Sequence, residues 1–134
     1  MAFVHGKDTF ISLDGDNLSA FCNTSTLTRQ ADSHDVTTYG QDSHVFVGGL
    51  GNGTASIGGF YDNTASTGPR AVIEPLVGTV VVLIRQPEGT GSGLPQDEVN
   101  VLVTNYVETS PVADIVTWTA ALQLSGDIDT TAQA

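Results

Sequence analysis

Few side chains in this sequence are of types that do chemistry. It has one cysteine, Cys22, and three histidines, His5, His34 and His44, dispersed over 134 residues. A metal site would need these histidines to converge in space, and their spacing follows no metal-ligand pattern. A reactive thiol needs an electropositive setting that lowers its pKa. Because the chain has a net charge of −11 at pH 7, Cys22 is predicted to be a buried or half-buried structural residue.

Two loops resemble ligand sites in composition only. Residues 14–17 read D-G-D-N, but the glycine and glutamate of a calcium-binding loop are absent, so a tight turn is predicted. Residues 87–95 are rich in glycine but lack the lysine of a phosphate-binding loop. The many acids leave a glycoside-cleaving carboxylate pair open, although Trp118, the single tryptophan, is predicted to face the core. No catalytic residue, cofactor or metal is therefore predicted, and the chain is not expected to be an enzyme.

The composition favours one domain, residues 1–134, made of strands and turns. Charged residues make up 14% of the chain, against the usual ~25%, and Thr, Ser, Gly, Asp and Val take their place. The acidity disfavours binding to duplex nucleic acid by a basic patch. Residues 1–5 lack the pattern of a signal peptide, and no segment has the ~18 apolar residues of a membrane span. We therefore expect a protein that stays in the cell that made it.

Alternation of apolar and polar residues predicts a mainly β fold, a sandwich or barrel with one appended helix. The helix is predicted over 68–78 as short and irregular, because Pro69 suits its first position, Pro75 interrupts it and Gly78 suits its end. Residues 127–134 are predicted to be a polar tail. The predicted strands cover residues 9–13, 25–30, 54–61, 79–85, 98–107 and 115–124.

The central stretch, residues 35–62, is the most distinctive. A β-prone run at 36–39 breaks at Gly40, an apolar burst follows at 45–47, and residues 54–61 alternate. Four glycines between positions 48 and 53 predict a flexible tip between two extended segments. Since the tip carries apolar residues but no catalytic group, the interpretation from the residues is contact with another protein surface.

Three runs in this order suggest a family. D-V-T-T-Y-G at 35–40, V-F-V-G-G-L at 45–50 and G-G-F-Y-D at 58–62 resemble the major tail proteins, or tail tube proteins, of long-tailed bacteriophages. The later helix, glycine-rich loop and final strand follow in a similar order, so the resemblance covers most of residues 8–126. It implies a β-sandwich with one short flanking α-helix, hexameric rings stacked into a tube, and a virion tail assembled in the host bacterial cytoplasm.

The resemblance also implies partners and an interface. Residues 39–53 resemble the long loop that bridges subunits or rings. Its candidate interface residues are Tyr39, Val45, Phe46, Val47 and Leu50. The expected partners are copies of the same chain, together with tape-measure, tail-terminator and baseplate or tip proteins, and no membrane. Genomic DNA is expected to pass without specific binding, through a lumen that the net charge of the chain would make acidic.

Two other classes stay open from the sequence. One is a different virion or binding module, such as a capsid decoration protein or the inner tube of a bacterial contractile injection system. The other is a small β-fold enzyme. The tail tube subunit is the leading hypothesis because the three motifs and the later elements agree in order and in total length.

Overall fold

The computed structural model describes residues 3–133. Met1, Ala2 and Ala134, at the ends of the predicted domain 1–134 and of the predicted tail 127–134, lie outside the described residues. The chain is mainly β with one short helix, as predicted. The helix α1 spans Pro69–Ile73 and continues as a 3₁₀ turn over Glu74–Leu76, which accommodates Pro75. The strands are β1 (Phe10–Leu13), β2 (Asp16–Asn17), β3 (Thr24–Asp35), β4 (Phe46–Phe60), β5 (Val80–Gln86), β6 (Pro95–Thr109), β7 (Thr117–Leu124) and β8 (Asp129–Ala132).

All strands belong to one antiparallel sheet in the order β2-β1-β5-β6-β7-β4-β3, with β8 on the other side of the start of β6. The long strand β6 pairs with β5 over its first part and with β7 over its second. An irregularity between Val103 and Asn105 marks the change. The sheet therefore has two halves that share one strand.

The two halves face each other like the layers of a sandwich. Arg29 on β3 contacts Asp97 on β6, and Arg85 on β5 contacts Ser25 on β3, although these strands are not neighbours in the sheet. Between the halves lies one apolar core, to which α1 also contributes. Its most deeply buried side chains include Trp118, Ile11, Leu13, Leu18, Ile73, Leu83 and Leu122.

The alternation predicted for the inner strands is confirmed. Val99, Val101 and Val103 of β6 are buried, as are Trp118 and Ala120 of β7. The Asp14-Gly15 turn is also confirmed, because both residues have positive φ angles, as a tight hairpin turn requires. Within residues 3–133, every helical segment is too short to cross a membrane.

Three sequence predictions are wrong in detail. Residues 48–53 do not form the hairpin tip: they are strand, and the turn covers 36–45, which includes the predicted β-prone run. Residues 31–34, which the sequence leaves as a connection between the predicted strand at 25–30 and the central stretch, are likewise strand. The hairpin turns earlier because Asp35 accepts hydrogen bonds from the backbone N–H and hydroxyl of Thr37, and Gly40 supplies a positive φ of 85°.

The predicted polar tail is the third error. Residues Asp129–Ala132 form β8, paired with the start of β6 from Pro95 to Glu98. Its side chains are exposed, so an apolar pattern could not reveal it. Backbone pairing and the hydrogen bond from Thr130 to the Asp97 carboxylate hold it in place.

Candidate functional site

The most exposed part of the chain is the far half of the β3–β4 hairpin. Strand β7 covers β4 only from Thr54 to Phe60, so β3 and β4 continue beyond it as a two-stranded ribbon. Every residue from 29 to 52 is exposed. We call residues 30–52 the arm. A two-stranded hairpin alone is at best marginally stable in water. Contact with another surface would therefore stabilise the arm.

The tip of the arm is ordered locally by polar contacts. The N–H of Val36 donates to the carbonyl of Val45 at 2.8 Å, and the N–H of Val45 donates to the Thr37 hydroxyl at 2.8 Å. Asp35 also lies 3.3 Å from the Nδ1 of His44. The hydrogen bonds from Thr37 lower the pKa of Asp35 below its ordinary value, because they stabilise the carboxylate.

All five predicted interface residues lie on the arm, exposed in the single chain. Tyr39 is in the turn and fully exposed, and Val45 immediately precedes β4. Phe46 and Val47 pair with Asp35 and His34 of β3, and because successive residues alternate, they point to opposite faces of the ribbon. Leu50, 80% exposed, lies where the register shifts opposite Asp32. The structure thus brings the five residues to one arm but not to one face.

Open strand edges accompany the arm. Strand β3 is the last in the sheet, so its outer edge is unpaired among the described residues along its whole length. On the opposite side of the same half, β6 leaves β5 after Leu102, and residues 104–109 have no strand on that side within 3–133. Unpaired backbone groups of this kind are templates for a strand of another chain.

The four strands between these edges present an uncharged outer surface. Because Ile57 and Ala120 are directly paired and buried, their sequence neighbours point outward. The paired registers of β3, β4, β7 and β6 place no charged side chain there between the edges. We call this surface the hydroxyl face. It consists of Thr24, Thr26, Thr28, Thr54, Ser56, Gly58, Phe60, Thr117, Thr119, Ala121, Gln123, Asn105, Val107 and Thr109.

Neither the hydroxyl face nor the open edge of β6 was predicted from the sequence. A signal was present, because threonine recurs at every second position at 24, 26 and 28 and again at 117 and 119. That period indicates one side of a strand. The acidic residues, which outnumber the basic ones fifteen to four, lie elsewhere in the chain than on this surface.

Of the residues with possible chemistry, Cys22 and His5 border one groove, whereas His34 and His44 lie on the arm. Cys22 is half-buried, and desolvation raises the pKa of its thiol to about 12, so the thiol is protonated at neutral pH. This agrees with the predicted structural cysteine. His5 accepts a hydrogen bond from the backbone of Lys7, while His44 pairs with Asp35. Residues 3–133 contain no group of three or more His, Cys, Asp or Glu placed to hold a metal ion.

The sequence matches no protein-family model and no curated protein. Solved structures share the fold. A chain in the C6-symmetric tail of an empty gene transfer agent particle has 20% identity and a TM-score of 0.78, over 97% of this chain and 100% of that one. A chain of the SPP1 tail tube has 10% identity and a TM-score of 0.78, over 98% of this chain and 80% of that one.

A third similar structure comes from an injection machine. It is a chain in the extended sheath–tube complex of PVC, an extracellular contractile injection system, with 11% identity and a TM-score of 0.67, over 98% of this chain and 93% of that one. At such identities the similarity shows the fold. The chain therefore has the fold found in tail tubes, as the resemblance of its motifs implied.

Proposed function

We propose that this chain is the major tail, or tail tube, subunit of a phage-like particle. Copies assemble into six-membered rings, and the rings stack into the conduit through which the genome leaves. The observation that carries the proposal is the full-length similarity to a chain in a C6-symmetric tail, over 97% of this chain. Because fold alone does not fix function, the open edges and the arm supply the independent argument.

The two open edges of the hydroxyl-face half can close a ring. Strand direction alternates from β6 through β7 and β4 to β3, so β3 of one copy meets β6 of the next in antiparallel orientation. Each contact uses two different surfaces, and such head-to-tail contacts close into rings when the rotation permits. Ring closure would remove both unpaired edges.

Ring closure makes the hydroxyl face continuous, and we propose that it lines the conduit. A surface of hydroxyl and amide groups offers no cation to bind phosphates, so DNA would pass without specific binding. This proposal differs from the expectation of an acidic lumen, which stays a prediction. The net charge of −11 comes from residues off this face, and the absence of cations rather than an excess of anions keeps the passage non-adhesive.

The arm is proposed to be the contact with further copies. Its exposed apolar residues, Phe46 and Leu50 foremost, would be buried there, and burial of each large side chain is favourable by about 1.5–3 kcal/mol. Tape-measure, tail-terminator and baseplate or tip proteins are the further partners of such a tube. The location would be the virion tail, assembled in the host bacterial cytoplasm, and the role structural rather than enzymatic.

The inner tube of a contractile injection system is the second candidate. The similarity to a chain of the PVC sheath–tube complex favours it specifically. A capsid decoration protein is not favoured, since the similar structures reported above are tails and tubes.

Negative-stain electron microscopy of the purified protein tests the proposal. Rings or tubes with sixfold symmetry are expected, and Phe46→Asp or Leu50→Asp should abolish the tubes while the circular dichroism spectrum stays unchanged. Val82→Asp is the matched control, because Val82 is an exposed apolar residue on β5, in the half of the sheet that carries neither the arm nor the open edges. A protein that stays monomeric at high concentration, or Phe46→Asp tubes of normal yield, would contradict the proposal.

A further inference from the structure

A groove lies at the end of the molecule opposite the arm tip. It has a volume of about 600 Å³ and is bounded by the segment around His5 and Lys7, by Cys22, by the start of β3 and by Arg85. No aspartate or glutamate lines it. In a chain with fifteen acids and four Lys or Arg residues, a basic groove without a carboxylate is unexpected by chance.

The cations of this groove are the ones without a counterion. Arg29 pairs with Asp97 at 2.7 Å, and Arg70 pairs with Glu74 at 3.1 Å. Lys7 and Arg85 form no ion pair with any carboxylate among residues 3–133, and both line the groove. The positive charge that the fold leaves uncompensated is thus concentrated in one place.

Arg85 is the more constrained of the two. It lies half-buried on β5, and its Nε donates to the Ser25 hydroxyl at 3.3 Å. A guanidinium has five donors and a geometry suited to carboxylates. A partly desolvated cation is costly unless a partner compensates it, so the groove is arranged to receive an anionic group.

We propose that this groove receives the arm tip of a second copy of the chain. This inference rests on the proposed function and deepens it by assigning the contact between stacked rings. The chemistry matches, because residues 30–69 contain no Lys or Arg and the arm carries Asp32, Asp35 and Asp42. Asp35 is the last residue of β3 and Asp42 lies in the turn. Both carboxylates are therefore at the end of the arm that would dock.

Apolar surface at both ends supports the same pairing. The end of the sheet that bears the groove also exposes Val112 and Ile115, on the connection before β7. The arm offers Tyr39 and Phe46. Charge complementarity would fix the position of the tip, and burial of these apolar side chains would supply most of the affinity.

The groove and the arm tip lie at opposite ends of the hairpin, so the proposed contact can repeat from one copy to the next. Thr24 and Ser25 at the start of β3 line the groove, and the tip follows its end at Asp35. At about 3.3 Å per residue the two sites lie roughly 36 Å apart along the strand. A contact between opposite ends of identical molecules repeats without closing, so it stacks rings along the direction of β3.

A charge swap tests the proposal. Lys7→Glu together with Arg85→Glu should raise the protein concentration needed for tubes at least roughly tenfold while single rings still form, because close charge pairs at interfaces contribute strongly. Asp35→Lys together with Asp42→Lys in the same chain should restore tubes. Arg70→Glu is the control, since it makes the same charge change per substitution, and so matches Lys7→Glu or Arg85→Glu alone, at an exposed cation outside the groove. Circular dichroism checks that each variant is folded.

Disulfide trapping keeps the test decisive if a charge variant misfolds. The variant combines Cys22→Ser with Asn23→Cys and Ser43→Cys. Position 23 lines the groove and position 43 lies in the tip. Oxidised tubes of this variant should give a ladder of linked chains on a non-reducing gel. Chains with Ser43→Cys alone should not. The separation of the two sites excludes a link within one chain.

The outcomes distinguish the two proposals. Wild-type protein that forms neither rings nor tubes overturns the proposed function. Wild-type tubes whose yield does not depend on Lys7 and Arg85, or tubes in which residues 23 and 43 do not cross-link, overturn the groove assignment alone. Tubes lost by the groove swap, restored by the arm swap and linked through residues 23 and 43 support it.

Discussion

Strand β4 belongs to two different environments along one continuous run of backbone. From Thr54 to Phe60 it lies between β3 and β7, and Ala55 and Ile57 fill the core. From Phe46 to Gly53 it pairs with β3 alone, and its apolar side chains face solvent. The first part is stabilised by its own chain. The second has no core of its own to fill, and the proposed function assigns its stabilisation to contact with other copies.

The largest contrast is expected between Trp118→Ala and Phe46→Ala. Trp118 is 1% exposed, and its indole N–H donates to the carbonyl of Phe60 at 3.2 Å. Truncation should lower the free energy of unfolding by about 3–5 kcal/mol. Phe46→Ala should change it by less than about 0.5 kcal/mol yet weaken assembly. Urea unfolding of unassembled protein measures both, and an equal loss in the two variants would mean that the arm packs on its own body.

Two glycines of the same strand sharpen the contrast. A Cβ at Gly59 would collide with the carbonyl oxygen of Phe21, whereas one at Gly51 meets open space. Gly59→Ala should therefore cost about 1–3 kcal/mol through forced backbone shifts, and Gly51→Ala less than about 1 kcal/mol in either direction. Thermal unfolding of the two variants checks this. Tolerance of alanine at Gly59 would show that the short 3₁₀ turn over Ser19–Phe21 can move away from β4.

The junction between body and arm gives a smaller effect. Arg29 holds the buried Asp97 at 2.7 Å, and Thr130 of β8 donates to the same carboxylate oxygen at 2.8 Å. Arg29→Met keeps much of the side-chain length but leaves the carboxylate with one partner fewer. A loss of about 1–2 kcal/mol in urea unfolding is expected, because hydrogen bonds to charged groups contribute that much. An unchanged midpoint would show that Thr130 and solvent suffice for Asp97.

The smallest effect concerns the tip. Because hydrogen bonds from Thr37 lower the pKa of Asp35 from 3.8, the turn is favoured above the unfolded pKa and loses this contribution as pH falls through the lower folded value. The amide proton signal of Thr37, followed by NMR during acid titration, should therefore shift with a midpoint below 3.8. Asp35→Asn should remove the transition, while core amide signals stay unaffected in that range. A midpoint at or above 3.8 would contradict the turn geometry.

The sequence predicted the body of the fold better than the arm, for a physical reason. Burial imposes a period of two on β6 and β7, so Val99, Val101, Trp118 and Ala120 could be assigned to the core from spacing alone. The arm has no buried side, and its glycines suggested a turn where the structure has strand. Strand β8 was missed because it is held by backbone pairing and not by apolar side chains.

The candidate site was predicted in part. Tyr39, Val45, Phe46, Val47 and Leu50 were placed on one protruding segment, and the structure exposes all of them. Their role in contacts between copies stays a prediction. The basic groove could not be foreseen, because Lys7 and Arg85 are far apart in sequence and only the pairing of β1 with β5 brings their segments together. Net charge likewise says nothing of where the charges lie.

Strand β6 has a consequence for the order in which the molecule opens. Its backbone is paired on both sides at Glu98 and again at Val101 and Leu102, with β5 on one side and β8 or β7 on the other. Neither layer can detach without breaking this common strand, so the body should melt in a single step. Its central amides should exchange with deuterium last, at the rate set by global unfolding. A tube built from such subunits would come apart by losing whole subunits, and not by separation of the two layers within a subunit.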